Sequence, residues 1–133
     1  MDASGNGDSP ELDGLNTLCE SALERAEQLF AAARHSVGGM VVVDGRAKGA
    51  LVEKHQTAVH GLAWVATYIE GLRQMLDWGR RLEQEGRFDE LERLMVQAAY
   101  GEYLNQLAGG IALSQVEIVR PGDMGLEDRK SVV

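Results

Sequence analysis

Proline and cysteine are almost missing from this sequence, and aromatic residues are sparse. Two prolines in 133 residues leave long stretches with no enforced helix break, since proline removes a backbone donor and collides with the preceding turn. A single cysteine, Cys19, excludes an intramolecular disulfide and a Cys-rich zinc site, and a reducing cytoplasm is the expected compartment. With aromatics at only 5%, a core must be built mainly from Leu, Val, Ile, Met and Ala. Apolar runs are short: Leu62–Ala66 is among the longest, whereas a membrane-spanning helix needs about 20 residues. Basic residues are outnumbered 13 to 21, giving a net charge of −8 and a pI near 4.8. That balance argues against non-specific nucleic-acid binding, which needs a basic stripe, and against docking on an anionic membrane. It reads instead as solubility. The opening residues, Met1 to Asn6, have neither a basic nor an apolar region and do not look like a signal peptide.

Glycine is abundant, 16 of 133 residues, with no collagen period and no low-complexity clustering. Its distribution organises the chain. Residues 1–8 are polar and glycine-rich and are expected to be disordered. Ser9-Pro10-Glu11 reads as a helix start, with Ser9 as cap and Pro10 at the first helical position. Leu15, Leu18, Ala22, Leu29 and Ala33 then recur at helical spacing, widened by Cys19, Ala26 and Phe30. Gly14 sits in the first turns of this helix, and Gly38-Gly39 is expected to stop it. Met40–Val43 reads as an extended connector rather than a strand, because no partner strand stands out.

Between about Ala47 and Glu85 no proline interrupts a second helix, roughly 50 Å long at 1.5 Å per residue. Two apolar seams run along it. One is Ala58, Leu62, Val65, Ile69, Leu72, Leu76 and Gly79; the other is Gly61, Trp64, Tyr68, Gly71, Met75, Trp78 and Leu82. Two adjacent seams make a face wide enough for the centre of a bundle. Gly86 ends it, and Asp89 with Glu92 offers a capping box for a third helix running to Gly109-Gly110. The third helix carries Leu91, Met95 and Ala98, then Leu94, Gly101, Leu104 and Leu107. A short connection makes the second and third helices antiparallel neighbours. The predicted fold is all-α: an antiparallel bundle of three main helices over residues 9–111, with an extended segment over 112–133. In that segment Ile118 and Val119 have no obvious helix to join. Gly61, Gly71, Gly79 and Gly101 fall inside helices, where each costs about 1 kcal/mol relative to alanine, so they predict close backbone approach to a neighbour.

Reactive chemistry is harder to place. His35, His55 and His60 are the only imidazoles. On a helix His55 and His60 point about 140° apart, not onto one face as metal ligands must. The Glu-x-x-His pair of di-iron bundles is missing, since Ala32, Val52 and Thr57 stand three residues before the histidines. Cys19 lies on an apolar stripe and reads as a buried thiol. Gly5-Asn6-Gly7 follows no strand and is not a phosphate loop. Trp64, Tyr68 and Trp78 read as core aromatics whose polar edges need partners. No catalytic, cofactor-binding or metal-ligating residue is assigned.

Several blocks resemble, in order, the N-terminal extension of methylsuccinyl-CoA dehydrogenases, flavin-dependent members of the acyl-CoA dehydrogenase family. They are Met40–Ala47 (MVVVDGRA), His60–Tyr68 (HGLAWVATY) with Glu70 and Leu72–Met75, Gly101–Ile111 (GEYLNQLAGGI), Ser114-Gln115 and Glu117–Pro121 (EIVRP). The resemblance covers about Ala31 to Leu126. It implies a helical accessory domain, non-catalytic alone, that packs against an acyl-CoA dehydrogenase core or like chains in a homo-oligomer. The family's FAD, CoA and catalytic-base residues belong to that core and are carried over to no position here. Val133 falls where the core should begin, and Glu127–Val133 matches nothing in the family, so an excised domain or a truncated reading frame is the expectation. The alternative is a free-standing helical module that self-associates through the small-residue seams. A third reading, an independent enzyme or cofactor carrier, requires a chromophore or metal in the purified chain.

Overall fold

The long proline-free stretch does form the central helix, and the rest of the chain is laid against it. The computed structural model describes residues 14–126; the predicted disorder of 1–8, the helix start at Ser9-Pro10-Glu11 and the tail 127–133 lie outside the described residues. Within them are four α-helices, three of them long: α1 (Leu15–Val41), α2 (Gly49–Lys54), α3 (Gln56–Gln84) and α4 (Glu90–Gly109). Strands β1 (Val42–Val43) and β2 (Arg46–Ala47) form one antiparallel hairpin, and β3 (Ile111–Ala112) and β4 (Ile118–Val119) another. A 3-10 turn over Pro121–Met124 follows. The all-α bundle of three main helices is borne out.

Polar pairs record the direction of packing. Asn16, Glu20 and Glu27 of α1 meet Glu83, Arg80 and Arg73 of α3, so moving forward along one helix moves backward along the other. Likewise Tyr100, Tyr103 and Gln106 of α4 lie over Leu72, Gly71 and Tyr68 of α3, which makes that pair antiparallel as expected. Between them sits the core: Cys19, Ala26, Leu29, Ala33 and Val37 from α1; Ala58, Val65, Ile69, Leu72 and Leu76 from α3; Val96, Tyr100 and Leu107 from α4. The first α3 seam is thus the buried one, with only Leu62 half-exposed in it. In the second seam Gly61 and Leu82 are buried, Tyr68, Gly71, Met75 and Trp78 are intermediate, and Trp64 is exposed.

The structure corrects several local expectations. Gly14 precedes α1 rather than lying within it: at φ 62° it holds the left-handed conformation, which glycine adopts without the Cβ penalty of other residues. Gly38-Gly39 does not stop α1, which continues to Val41. Buried Val37 and Val41 pin the last turns, and Gly125 beyond the 3-10 turn lies against Ser36 and Met40; tertiary cover overrides the weak propensity. Val42–Val43 is a strand after all, and its partner is Arg46–Ala47 across Asp44-Gly45. Both turn residues have positive φ, 53° and 75°, the mirror-image turn that Asp-Gly favours and whose twist suits a tight hairpin.

The predicted second helix is broken at His55, whose φ −110° and ψ 34° leave the helical region. The bend lets the short α2 rest on α1 as well as on α3. Leu18 on α1 is half-exposed while Leu23 is buried in its place. Asp89 stands at the N-cap of α4, but its side chain makes no capping bond. A reciprocal pair forms instead at the 3-10 turn, where the Arg120 N–H donates to the Asp123 carboxylate at 2.8 Å and the Asp123 N–H to the Arg120 carbonyl at 2.9 Å. Nor is Val119 stranded: it is buried, opposite Ile111 in the β3–β4 hairpin and over Gly61 of α3.

Of the four glycines singled out in the sequence, Gly61, Gly71, Gly79 and Gly101, the first three are seats for a neighbour. A Cβ on Gly61 would overlap the Val119 side chain, one on Gly79 would stand 2.7 Å from Asn16 Oδ1, and one on Gly71 would stand 3.3 Å from the Tyr103 ring. Gly101 faces open space and is the exception to the expectation. Urea unfolding should separate the two kinds. Gly79→Ala is expected to lose about 1–3 kcal/mol through overpacking, whereas Gly101→Ala should gain up to about 1 kcal/mol from helix propensity.

Candidate functional site

The helical repeat places His60, Trp64 and Tyr68 four residues apart on one side of α3, and their polar edges are satisfied in sequence. Trp64 Nε1 donates to His60 Nε2 at 3.1 Å, which requires that nitrogen to be unprotonated. The Trp64 and Tyr68 rings meet edge to face at 6.2 Å and 87°. Tyr68 then stacks on Tyr103 of α4, centroids 4.6 Å apart and 14° from parallel, an offset arrangement that ring quadrupoles favour. Gly71 makes the stack possible by leaving room for the Tyr103 ring. Tyr68 Oη donates to Gln106 Oε1 at 2.6 Å, and Gln106 Nε2 donates to Glu102 at 2.8 Å. Burial, then the neighbouring Tyr103 and Glu102, push the Tyr68 phenol above its usual range. The ladder joins α3 to α4 and leaves the outer part of Trp64 exposed at 38%.

Other polar groups are also taken up internally. Tyr100 Oη donates to the Leu72 carbonyl at 2.8 Å inside the core. Asn16, 6% exposed, donates from Nδ2 to Glu83 at 2.8 Å, while its Oδ1 lies over Gly79 with no conventional partner. Glu20–Arg80 and Glu27–Arg73 link α1 to α3, and Arg73 is shared with Glu70. These pairs are half-exposed, where such bridges contribute about 0–1 kcal/mol; they mark register more than they hold the fold. The Glu70 carboxyl sits below its usual range, chiefly through the Gln74 amide bond and then through Arg73.

Cys19 is buried and its thiol is pushed up to about 11 by desolvation, the opposite of what a nucleophile needs. His35 and His60 are exposed and His55 is half-buried, and no group of three or more His, Cys, Asp or Glu among the described residues is arranged to hold a metal. No helix among them is long and apolar enough to cross a membrane. Helix α4 presents an apolar surface. The predicted seam Leu91, Met95, Ala98 turns outward: Leu91 is 66% exposed and Met95 50%, while Val96, Tyr100 and Leu107 face the core.

No family model matches the chain. A curated protein does: (2S)-methylsuccinyl-CoA dehydrogenase from Cereibacter sphaeroides is 48% identical over 118 residues, 89% of this chain. The match takes up only 22% of that protein. It is to one segment of the dehydrogenase, its N-terminal part, that this chain is similar. The resemblance expected from the separated blocks is therefore borne out. The chain spans about a fifth of the length of methylsuccinyl-CoA dehydrogenase.

Sequence reasoning missed the partners rather than the players. Tyr103 and Gln106 lay in a block that carried the resemblance but had no assigned partner, Tyr100 had only helical spacing, and Asn16 could have been found as a polar residue set among apolar neighbours facing a glycine. The buried thiol gives a solution test. The unfolded chain releases the Cys19 proton from about pH 9 and the folded chain only near 11, so stability falls as pH rises through that window. Cys19→Ala should flatten the slope of stability against pH by about half a proton at pH 9, rising to about 0.8 at pH 10, measured by urea unfolding at each pH.

Proposed function

We propose that this chain is a helical accessory domain of an FAD-dependent acyl-CoA dehydrogenase acting on methylsuccinyl-CoA, non-catalytic by itself, and that it packs against the catalytic core or its oligomer. The observation that carries this reading is the 48% identity along nearly all of the chain to about a fifth of such an enzyme. The packing role draws support from the surface: a helix apolar on two sides is suited to burial between two bodies. In this reading FAD is held elsewhere. The notches at Gly61, Gly71 and Gly79 are filled by Val119, Tyr103 and Asn16, so they offer neither a slot for a flavin ring nor a backbone cradle for its pyrophosphate. The internal use of Tyr68, Gln106, Tyr100 and Glu83 as hydrogen-bond partners fits a structural part better than a substrate site.

A second reading, a free-standing module that self-associates, draws on the same exposed Leu91 and Met95. Exchange of the matched stretch decides between them. In the Cereibacter sphaeroides enzyme, replacing that stretch by the corresponding residues of this chain should preserve flavin content and melting temperature, whereas deleting it should lower both. Equal flavin content and melting temperature in the exchanged, deleted and intact enzymes contradict the accessory role.

A further inference from the structure

The outward face of α4 has the spacing of a helix contact, and among the described residues no helix lies on it. Leu91, Met95 and Ala98 stand four and three residues apart on the side opposite Val96 and Tyr100, and alternating three- and four-residue steps are those at which ridges of one helix seat in the grooves of another. α4 is thus apolar on two opposite sides, the pattern of a helix covered on both. Its charges are mostly acidic: Glu90, Glu92 and Glu102 against Arg93. From Leu94 to Val119 there is no Lys or Arg, while Glu90 and Glu102 border the strip. Arg93, nearby, instead lies over the Phe88 ring, 5.8 Å from its centroid.

These features choose among occupants. A second copy packed antiparallel across Met95 would bring Glu90 of each helix towards Glu102 of the other, and like charges facing across a helix pair disfavour it. A helix with a Leu, Ile, Val or Met stripe and Lys or Arg on its flanks matches both the spacing and the charge. The matched relative extends well beyond the 22% that this chain covers, and within one polypeptide a tether would supply a high effective concentration and make a small contact sufficient. We propose that the Leu91–Met95–Ala98 face of α4 is the docking face of this domain for a basic-flanked amphipathic helix in the remainder of a methylsuccinyl-CoA dehydrogenase-like chain. The inference rests on the accessory-domain reading and adds the face and the chemistry of its partner.

Methionine oxidation reads the face directly, because peroxide converts an exposed thioether to sulfoxide. In the 133-residue chain alone, Met95 should oxidise fast and the buried Met124 slowly. In the Cereibacter sphaeroides enzyme carrying this chain in place of its matched stretch, Met95 should slow at least about tenfold towards Met124, and Leu91→Lys should restore fast oxidation. The isolated chain should tolerate Leu91→Lys with no change in its urea midpoint, since that side chain is exposed. An exchanged enzyme that keeps its flavin and melting temperature while Met95 oxidises as fast as in the isolated chain overturns the docking face and leaves the accessory role standing. Loss of flavin and melting temperature to the level of the deleted enzyme overturns the accessory role itself. An isolated chain that sediments as a dimer and becomes a monomer on Leu91→Lys also overturns the proposal, by assigning the face to a second copy.

Discussion

Close approach to α3 is the constraint on which the rest of the molecule depends. At Gly61, Gly71 and Gly79 the central helix gives up its side chain, and each vacancy is taken by a different part of the chain: Val119 of the C-terminal hairpin, Tyr103 of α4 and Asn16 of α1. Three successive glycines along one helix thus dock three separate elements. Each glycine weakens the helix by about 1 kcal/mol, and the return is close contact: a Tyr68–Tyr103 stack at 4.6 Å, a buried Val119 and a seated Asn16. Because interiors tolerate little change in volume, the spacing of these seats fixes where each neighbour lies along α3.

What could be read in the sequence follows from this arrangement. The buried α3 seam has one dominant phase, so Ala58, Val65, Ile69, Leu72 and Leu76 were identifiable. Helix ends at Gly86 and Gly109-Gly110 were legible because local geometry sets them, with Gly86 at φ 68° and Gly110 at φ 133°. Gly38-Gly39 carried the same local signal, but Val37, Val41 and the covering Gly125 turn extend α1 past it. On α4 the phase itself was ambiguous. With apolar residues on two sides, spacing alone could not tell Leu91 and Met95, which face outward, from Val96 and Tyr100, which face the core. The hairpins escaped detection because each strand is two residues long. The break at His55 has no glycine or proline to announce it, and it is set by where α2 comes to rest.

The functional reading has the same physical basis. Several polar side chains are engaged in holding helices together, from the Tyr68–Gln106–Glu102 relay to the Asn16–Glu83 pair. The one thiol is buried, and burial raises its pKa. What the bundle presents outward, on α4, is an acid-bordered apolar strip. In the accessory-domain proposal the glycine seats would supply a rigid scaffold and α4 a face. The identity to a segment of a much longer dehydrogenase gives such a domain a natural context.

The claim that side chains seated on glycines hold this bundle is tested most directly by a double-mutant cycle at Gly61 and Val119, followed by urea unfolding. Gly61→Ala adds a methyl where Val119 stands, and Val119→Ala vacates that place. Each single change should destabilise, and the double variant should be more stable than the sum of the two losses predicts, by about 0.5–3 kcal/mol as expected of residues in contact. Strict additivity within about 0.5 kcal/mol would mean that Gly61 is not a seat for Val119 and would contradict the account.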